Sequence, residues 1–218
     1  MYINKVIEME VKLTPDLAYT FGIVGGDGTF SESEKRISVT DRCFEFHRTV
    51  LKPLLERLFK KEASIQEMKI GGIPVAFRTR ITSLDAIIKL KELGMPTKDK
   101  SHTIETPKIM FESSQEVIKE YIEGWMDAES WVTVKRSKRG DKSYEYPKIA
   151  FQVVSKKIRD DLVKLLECFG IKASTWEYKQ MYGFQIIGSD KVKSYIKQIG
   201  FKHPEKLLRV QEVCRFEA

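Results

Sequence analysis

Two short segments of this sequence place carboxylates where a cation could be held. They read Phe21-Gly22-Ile23-Val24-Gly25-Gly26-Asp27-Gly28 and Glu123-Gly124-Trp125-Met126-Asp127-Ala128-Glu129-Ser130. Each has a small residue, three further positions, a second small residue and then an acid. Residues four apart share a helical face, so Gly22 with Gly26 and Gly124 with Ala128 make small-residue stripes. Glycine costs a helix roughly 1 kcal/mol against alanine. Three glycines within five residues therefore need a compensating contact, and close approach of two helices supplies one. That pairing would set Asp27 and Glu129 side by side at two helix C-termini, where unpaired carbonyls already carry partial negative charge. Hard oxygen donors of this kind suit Mg²⁺. Mg²⁺ in turn binds phosphate oxygens and activates water, which is the chemistry of phosphodiester hydrolysis.

The elements around these segments repeat. Thr14-Pro15 is a helix start, with Thr as N-cap and Pro in the first turn, and the helix runs to about Gly26. Strands are expected near Thr29–Ser33 and Arg36–Thr40, a helix near Arg42–Lys60, and strands near Ser64–Ile70 and Pro74–Ile81 turned by Gly71-Gly72. A helix after Ser83 ends at Gly94. The polar, Pro-containing stretch from Met95 to Glu112 reads as a linker. The pattern then restarts at Ser113-Ser114 with a helix to about Ala128. Strands follow near Trp131–Arg136 and Lys148–Val154, joined by a basic loop from Lys135 to Lys142. A helix over Lys156–Phe169, strands near Lys172–Tyr178 and Gly183–Ile187, a helix after Ser189 and a helical tail from Lys202 to Ala218 complete it.

Short matches tie the halves together. Ala63-Ser64 and Glu67, Lys69 match Ala173-Ser174 and Glu177, Lys179, and Leu54-Leu55-Glu56 matches Leu165-Leu166-Glu167. Val39-Thr40-Asp41-Arg42 is aligned with Val153-Val154-Ser155-Lys156. Several matches in one order argue for two related halves: 1–94, a linker over 95–112, and 113–218 including the tail.

Composition narrows the partners. The chain has 218 residues, 42% hydrophobic, with net charge +7 and pI near 9.1, a balance that favours anionic partners and nucleic acid above all. No apolar run reaches the ~18 residues of a membrane span. Met1 to Lys12 contains no signal-peptide core. A cytoplasmic, nucleoid-associated protein with no membrane partner is expected. Cys43, Cys168 and Cys214 stand far apart, and His47, His102 and His203 form no ligand cluster, so a zinc site or disulfide framework is disfavoured. Cys43 and Cys168 read as core residues. A single asparagine, Asn4, among abundant Lys and Glu leans towards a thermophilic source.

The two acid-bearing segments resemble the LAGLIDADG motif, and the repeat resembles the single-chain, double-motif homing endonucleases of the archaeal, intron-encoded type. The resemblance covers about Leu17 to Gln198. It implies an α+β fold of two pseudo-symmetric αββαββα halves, with the motif helices packed centrally and two antiparallel sheets forming a saddle on double-stranded DNA. It implies a monomer that makes a Mg²⁺-dependent cut in both strands of a long asymmetric site, leaving short 3′ overhangs, with Mn²⁺ or Ca²⁺ able to replace Mg²⁺ in binding. Carried over by position, Asp27 and Glu129 are the catalytic, metal-binding acids, and the Gly26 and Ala128 carbonyls complete the metal shell. Gly25 and Ser130 depart from the motif, but neither is a metal-binding position.

Arg42, Lys156 and Arg80 are the candidate basic groups near the scissile phosphate, where positive charge offsets developing negative charge. Asp41 and Ser155 are further polar candidates. Each could equally be a solvated group at a strand end. Phe30 and Val132 should face the core, leaving opposite-parity side chains for DNA: Thr29, Ser31, Ser33, Thr133 and Lys135. Arg36, Ser38, Thr40, Arg78, Arg80, Lys148, Gln152, Trp176 and Gln185 extend that surface on the other strands. Arg reads guanine and Gln reads adenine in the major groove. Lys135, Arg136, Lys138, Arg139 and Lys142 are expected on phosphates. A maturase acting on intron RNA would keep this fold and its basic face, whereas a non-catalytic DNA-binding module should have lost one acid. A nuclease inside an intein is disfavoured, since Asn4 is the only asparagine.

Overall fold

In the computed structural model, residues 12–214 are described, apart from the Arg139 side chain. The readings of Met1 to Val11 and of the last four residues lie outside them. Helix α1 (Pro15–Asp27) begins where Thr14 Oγ1 accepts the Leu17 N–H at 3.3 Å, with Pro15 in the first turn. Strands β1 (Gly28–Ser31) and β2 (Arg36–Asp41) follow. Next comes one bent helical segment: α2 (Phe44–Phe46), a π-turn over His47–Leu51, and α3 (Lys52–Phe59). The widened turn ends two residues before Pro53, whose ring crowds the carbonyl four residues back in a regular helix. Strands β3 (Ala63–Ile70) and β4 (Ile73–Thr82) lead to α4 (Leu84–Glu92), capped by Ser83.

Between the halves lie α5 (Lys100–Thr103) and a 3₁₀ turn over Lys108–Glu112. This stretch is packed rather than free. Met95, Ile104 and Met110 are buried, and Tyr121 Oη donates to Thr106 Oγ1 at 3.0 Å. The second half then repeats the order: α6 (Gln115–Glu129), β5 (Ser130–Arg139), β6 (Lys142–Val153), α7 (Lys156–Glu167), β7 (Ser174–Tyr178), β8 (Met181–Ile187) and α8 (Ser189–Gln198). Helix α9 (Pro204–Cys214) closes the described chain. No helix among the described residues is long and apolar enough to cross a membrane.

The two sheets have one topology, β1-β2-β4-β3 and β5-β6-β8-β7, antiparallel throughout. On the helix-facing side, Ile37, Val39, Ile81 and Ala63 are buried in one sheet, and Ile149, Phe151, Phe184 and Ile186 in the other. Three sequence expectations need correction. The basic segment is not a loop: β5 runs to Arg139 and β6 restarts at Lys142, so the hairpin turns on Gly140 and Asp141 alone. Gly140 supplies the left-handed conformation (φ 59°) that this turn requires. Ser33 lies in the exposed turn between β1 and β2 rather than in a strand. Cys168 follows the end of α7 and is exposed, while Cys43 is buried as expected.

The core is organised around α1 and α6. Residues Leu17 to Gly25 are buried all round α1, and Tyr121 to Asp127 all round α6. The helices touch through their backbones. A Cβ on Gly22 would stand 2.7 Å from the Tyr121 carbonyl oxygen, and one on Gly124 would stand 2.3 Å from that of Tyr19. Tyr19 Oη donates to Asp127 Oδ2 at 2.7 Å across the same interface.

This contact predicts the sign of a substitution. In a free helix Gly124→Ala would stabilise by about 1 kcal/mol. Here the added methyl meets a carbonyl oxygen, and overpacking should destabilise the protein by about 1–3 kcal/mol in denaturant unfolding. A stabilised Gly124→Ala protein would show that the helices do not meet at this position.

Candidate active site and nucleic-acid interface

Helices α1 and α6 end together. A Cβ on Gly26 would lie 2.4 Å from the Ala128 Cβ and 3.2 Å from Glu129 Oε1, so the two terminal turns, and the acids that close them, are neighbours. Burial, and then the Glu129 charge, push the Asp27 pKa up to about 7, against the pull of Lys206 and Lys100. Burial also raises Glu129, again opposed by those two lysines. The ionised pair is therefore short of positive charge.

Two buried lysines supply part of it. Lys100 Nζ donates to the carbonyls of Val24 (2.6 Å), Gly26 (3.0 Å) and Gly28 (2.7 Å). Lys206 Nζ donates to those of Met126 (2.9 Å), Asp127 (2.6 Å) and Ala128 (3.4 Å). Each ammonium thus caps the negative end of one motif helix, next to its acid. Burial lowers the Lys100 pKa to about 8 and lowers Lys206 as well, while the neighbouring carboxylates hold both up.

Sequence reasoning missed both lysines because they fell in the segments read as linker and tail. A signal was present. Gly94 follows α4 with φ 92° and Gly200 follows α8 with φ 88°, and each precedes its lysine by the same spacing, Gly94 to Lys100 and Gly200 to Lys206.

Among the described residues no cluster of three or more His, Cys, Asp or Glu side chains could hold a metal ion. The donors gathered at the helix ends are the Asp27 and Glu129 carboxylates and the carbonyls of Gly26 and Ala128. All are oxygens and carry excess negative charge, a set that fits a hard divalent cation.

Beside Asp27 lies a cavity of about 710 Å³ whose lining includes Asp41, Arg42, Trp131, His203, Lys206 and Arg209. Asp41 Oδ1 accepts the Cys43 N–H at 2.6 Å and meets His203 Nε2 at 3.2 Å. Burial works against its ionisation. The His203 and Cys43 hydrogen bonds, with the nearby His203 and His47 charges, outweigh that and hold its pKa down at about 2. Asp41 thus fastens the start of α9, and with it Lys206, to the first half. On the same connection Asp127 accepts the Lys202 and His203 N–H groups at 3.0 and 3.2 Å.

The strand registers correct the alignment of Asp41 with Ser155. Asp41 pairs with Phe77 as Val153 pairs with Tyr182, and the helix caps Cys43 and Ser155 correspond. Asp41 therefore has an apolar counterpart, Val153, and Arg42 has Val154. The repeated valines at 153 and 154 concealed the two-residue shift.

The structure brings Asp27, Glu129, Gly26 and Ala128 together and places Arg42 on the cavity beside them. It does not bring Lys156 there. That side chain meets Glu177 at 3.1 Å and lies over the Tyr182 ring on the helix-facing side of the sheet. Arg80 sits in mid-sheet, beside a second cavity shared with Arg36 and Ser64, so it belongs to the outward face of the sheet rather than to the acids.

Strand parity puts Thr29, Ser31, Arg36, Ser38, Thr40, Arg78 and Arg80 on the outward face of the first sheet. It puts Trp131, Thr133, Lys135, Lys148, Gln152, Trp176 and Gln185 on that of the second. Arg136 and Lys138 have the opposite parity, and Arg136 Nε pairs with Glu145 at 2.7 Å. The sequence expected them on phosphates from a loop, whereas they lie within strand β5 on the side opposite the outward face. The expectation for the Arg139 side chain lies outside the described residues.

Residues 116–200 match the LAGLIDADG-like domain family. The chain as a whole has the fold of the single-chain homing endonuclease I-DmoI. Against I-DmoI solved with DNA and Ca the TM-score is 0.61 at 15% identity, covering 91% of this chain and 97% of that one. The N-terminal LAGLIDADG domain of DUF199/WhiA gives a TM-score of 0.57 at 13% identity, covering 88% of this chain and 87% of that one. At these identities the likeness is one of fold.

Two curated relatives come from Methanocaldococcus jannaschii. The probable translation initiation factor IF-2 is 28% identical over 67% of this chain, and the replication factor C small subunit is 23% identical over 93%. The chain spans only 13% and 10% of their respective lengths.

The Asp41–His203 link can be measured by a double-mutant cycle. Asp41→Ala and His203→Ala should each destabilise the protein, with a coupling of about 1 kcal/mol in equilibrium unfolding. Strict additivity would mean that the two side chains do not interact.

Proposed function

We propose that this chain is a homing endonuclease, acting as a monomer on a long, asymmetric double-stranded DNA site and hydrolysing both strands to leave short 3′ overhangs. The observation that carries the reading is the juxtaposition of Asp27 and Glu129 at two touching helix ends, each end capped by a buried lysine. One chain supplies both acids, so one molecule suffices for two cuts. The outward sheet faces, rich in Arg, Lys, Gln, Ser and Thr, provide groups for base edges and phosphates.

Asp27, Glu129 and the carbonyls of Gly26 and Ala128 would hold the metal. A divalent cation bound there would polarise a phosphate oxygen and lower the pKa of the attacking water. Mg²⁺ is the metal under this reading, with Mn²⁺ or Ca²⁺ able to replace it in binding. I-DmoI has been solved with Mn, Ca and Mg.

The chain's own groups do the rest. Water oxygen attacks phosphorus and releases a proton to solvent, the bond to the leaving sugar oxygen breaks, and that oxygen takes up a proton. Lys100 and Lys206, held beside the two acids by the helix-end carbonyls, would offset the negative charge that develops on the phosphate. Lys100, with its pKa drawn down to about 8, stays protonated near neutrality yet gives up its proton more readily than a solvated lysine.

The reading is tested on duplexes selected from a random pool for binding and then assayed for cutting. Asp27→Asn and Glu129→Gln should each abolish double-strand cleavage while retaining DNA binding, and EDTA should do the same to the native chain. Lys100→Met and Lys206→Met should each slow cleavage by about 10²-fold or more, with binding little changed. Normal cutting by either acid variant would overturn the site assignment. Absence of metal-dependent cutting on every selected duplex would overturn the enzyme.

A further inference from the structure

The strand pairings allow the two sheets to be compared position by position. Gly28 opposite Val39 corresponds to Ser130 opposite Phe151, and Ser38 opposite Arg80 corresponds to Ala150 opposite Gln185. Continued across the sheets, the row Thr40, Arg78, Gln66 of the first half corresponds to Gln152, Gly183, Trp176 of the second. These residues share the outward face.

Equivalent positions carry opposed chemistry. In the first half Arg78 Nε donates to Thr40 Oγ1 at 3.1 Å, which steadies the side chain and leaves its terminal nitrogens for a ligand. Gln66 stands beside it, exposed. In the second half the arginine position is Gly183, and the glutamine position is Trp176, whose ring lies across the glycine. A Cβ on Gly183 would be 2.2 Å from Trp176 Cζ2, so the glycine is what lets the ring lie against the sheet. From the other side, Arg159 Nη1 donates to the Trp176 and Gly183 carbonyls at 3.1 and 3.3 Å, fixing both strands beneath the ring. Neighbouring outward positions continue the change. Ser38 becomes Ala150 and Thr82 becomes Ile187, while the apolar Met68 becomes the aromatic Tyr178, which is 65% exposed.

The chemistry of a base-pair edge gives these differences a meaning. Arg and Gln read purine edges in the major groove through paired hydrogen bonds, whereas the only apolar group on that edge is the thymine C5-methyl. A ring held rigidly in place meets a methyl group at little entropic cost. Gln152 and Gln185, which border the apolar patch, are suited to adenine, the partner of thymine in the same base pair.

We propose that the two halves read different half-sites: the Arg78 surface takes a guanine-containing one, and the Trp176–Gly183 surface takes an A·T-rich one through thymine methyl groups. The proposal rests on the reading of the chain as a DNA-binding nuclease.

Duplexes selected from a random pool by the full chain in Ca²⁺ buffer supply the test. Each is resynthesised with uracil in place of thymine, which removes only the methyl, in one half-site at a time. Affinity should fall by about fourfold for each thymine methyl removed from the interface, and in one half-site only. Trp176→Ala should abolish that sensitivity, Trp176→Tyr should keep part of it, and neither should alter preference in the guanine-containing half-site. Equal affinity for thymine and uracil duplexes, or full discrimination retained by Trp176→Ala, would overturn the inference, as would tighter binding to single-stranded RNA than to the selected duplex. Failure to select any preferred duplex would instead count against the parent reading of the chain as a sequence-specific DNA-binding protein.

Discussion

Helices α1 and α6 can lie as close as they do only because neither carries a side chain where their backbones meet. Gly22 sits against the Tyr121 carbonyl and Gly124 against that of Tyr19. A methyl at either place would force the axes apart, and the displacement would carry to the helix ends, where Gly26 already crowds Ala128 and Glu129. The positions of the acids, the lysines that cap them and the two sheets that begin directly after them all descend from this contact. Its cost is the low helix propensity of glycine, offset by the burial of Tyr19, Phe21, Tyr121 and Trp125 in the surrounding core.

Close packing creates an electrostatic difficulty at the C-terminal ends. Two carboxylates and two sets of unpaired carbonyls face the same small volume, and all carry negative charge. Lys100 and Lys206 answer part of it, at the expense of their own hydration, as their lowered pKa values record. The connections that deliver these lysines are accordingly well anchored. Met95 and Ile104 are buried on either side of Lys100, and Asp127 and Asp41 hold the backbone and side chain of His203 ahead of Lys206. Stability and chemistry are joined here, because the hydrogen bonds that fix these segments also position the charges beside the acids.

Much of this was legible in the sequence, and the reasons for the misses are specific. The acids, the glycine stripes and the repeat could be read because each is a local pattern whose period matches a helix or a strand. The lysines were hidden by their setting in segments read as a linker and as a helical tail, since nothing in either local pattern shows that a distant helix end needs a cation. The alignment of Asp41 with Ser155 slipped by two residues on a pair of valines, an ambiguity that only strand pairing resolves. The segment from Lys135 to Lys142 looked like a loop because charges interrupted its alternation. In an exposed hairpin both faces meet solvent, so a strand need not alternate. Lys156 failed as a candidate for a related reason, since a position just after a strand does not say on which side of the sheet a side chain will emerge.

The same frame used twice in one chain separates what must be shared from what is free to differ. The helix contact, the acids and the lysines are related through the pseudo-twofold, and altering one copy alone would disturb the common interface. The outward strand positions touch no such constraint. A residue there changes the surface without moving the core, provided its neighbours on the same face make room, as Gly183 does for Trp176. Two copies held in one polypeptide can therefore diverge at Arg78 and Gly183, at Gln66 and Trp176, or at Ser38 and Ala150, while the registers that align them stay the same. A homodimer of identical halves would have to present one of these surfaces twice. Covalent joining of the halves is thus the physical condition for a surface with two chemistries, and the inequality of the two faces follows from it as much as the proximity of the two acids does.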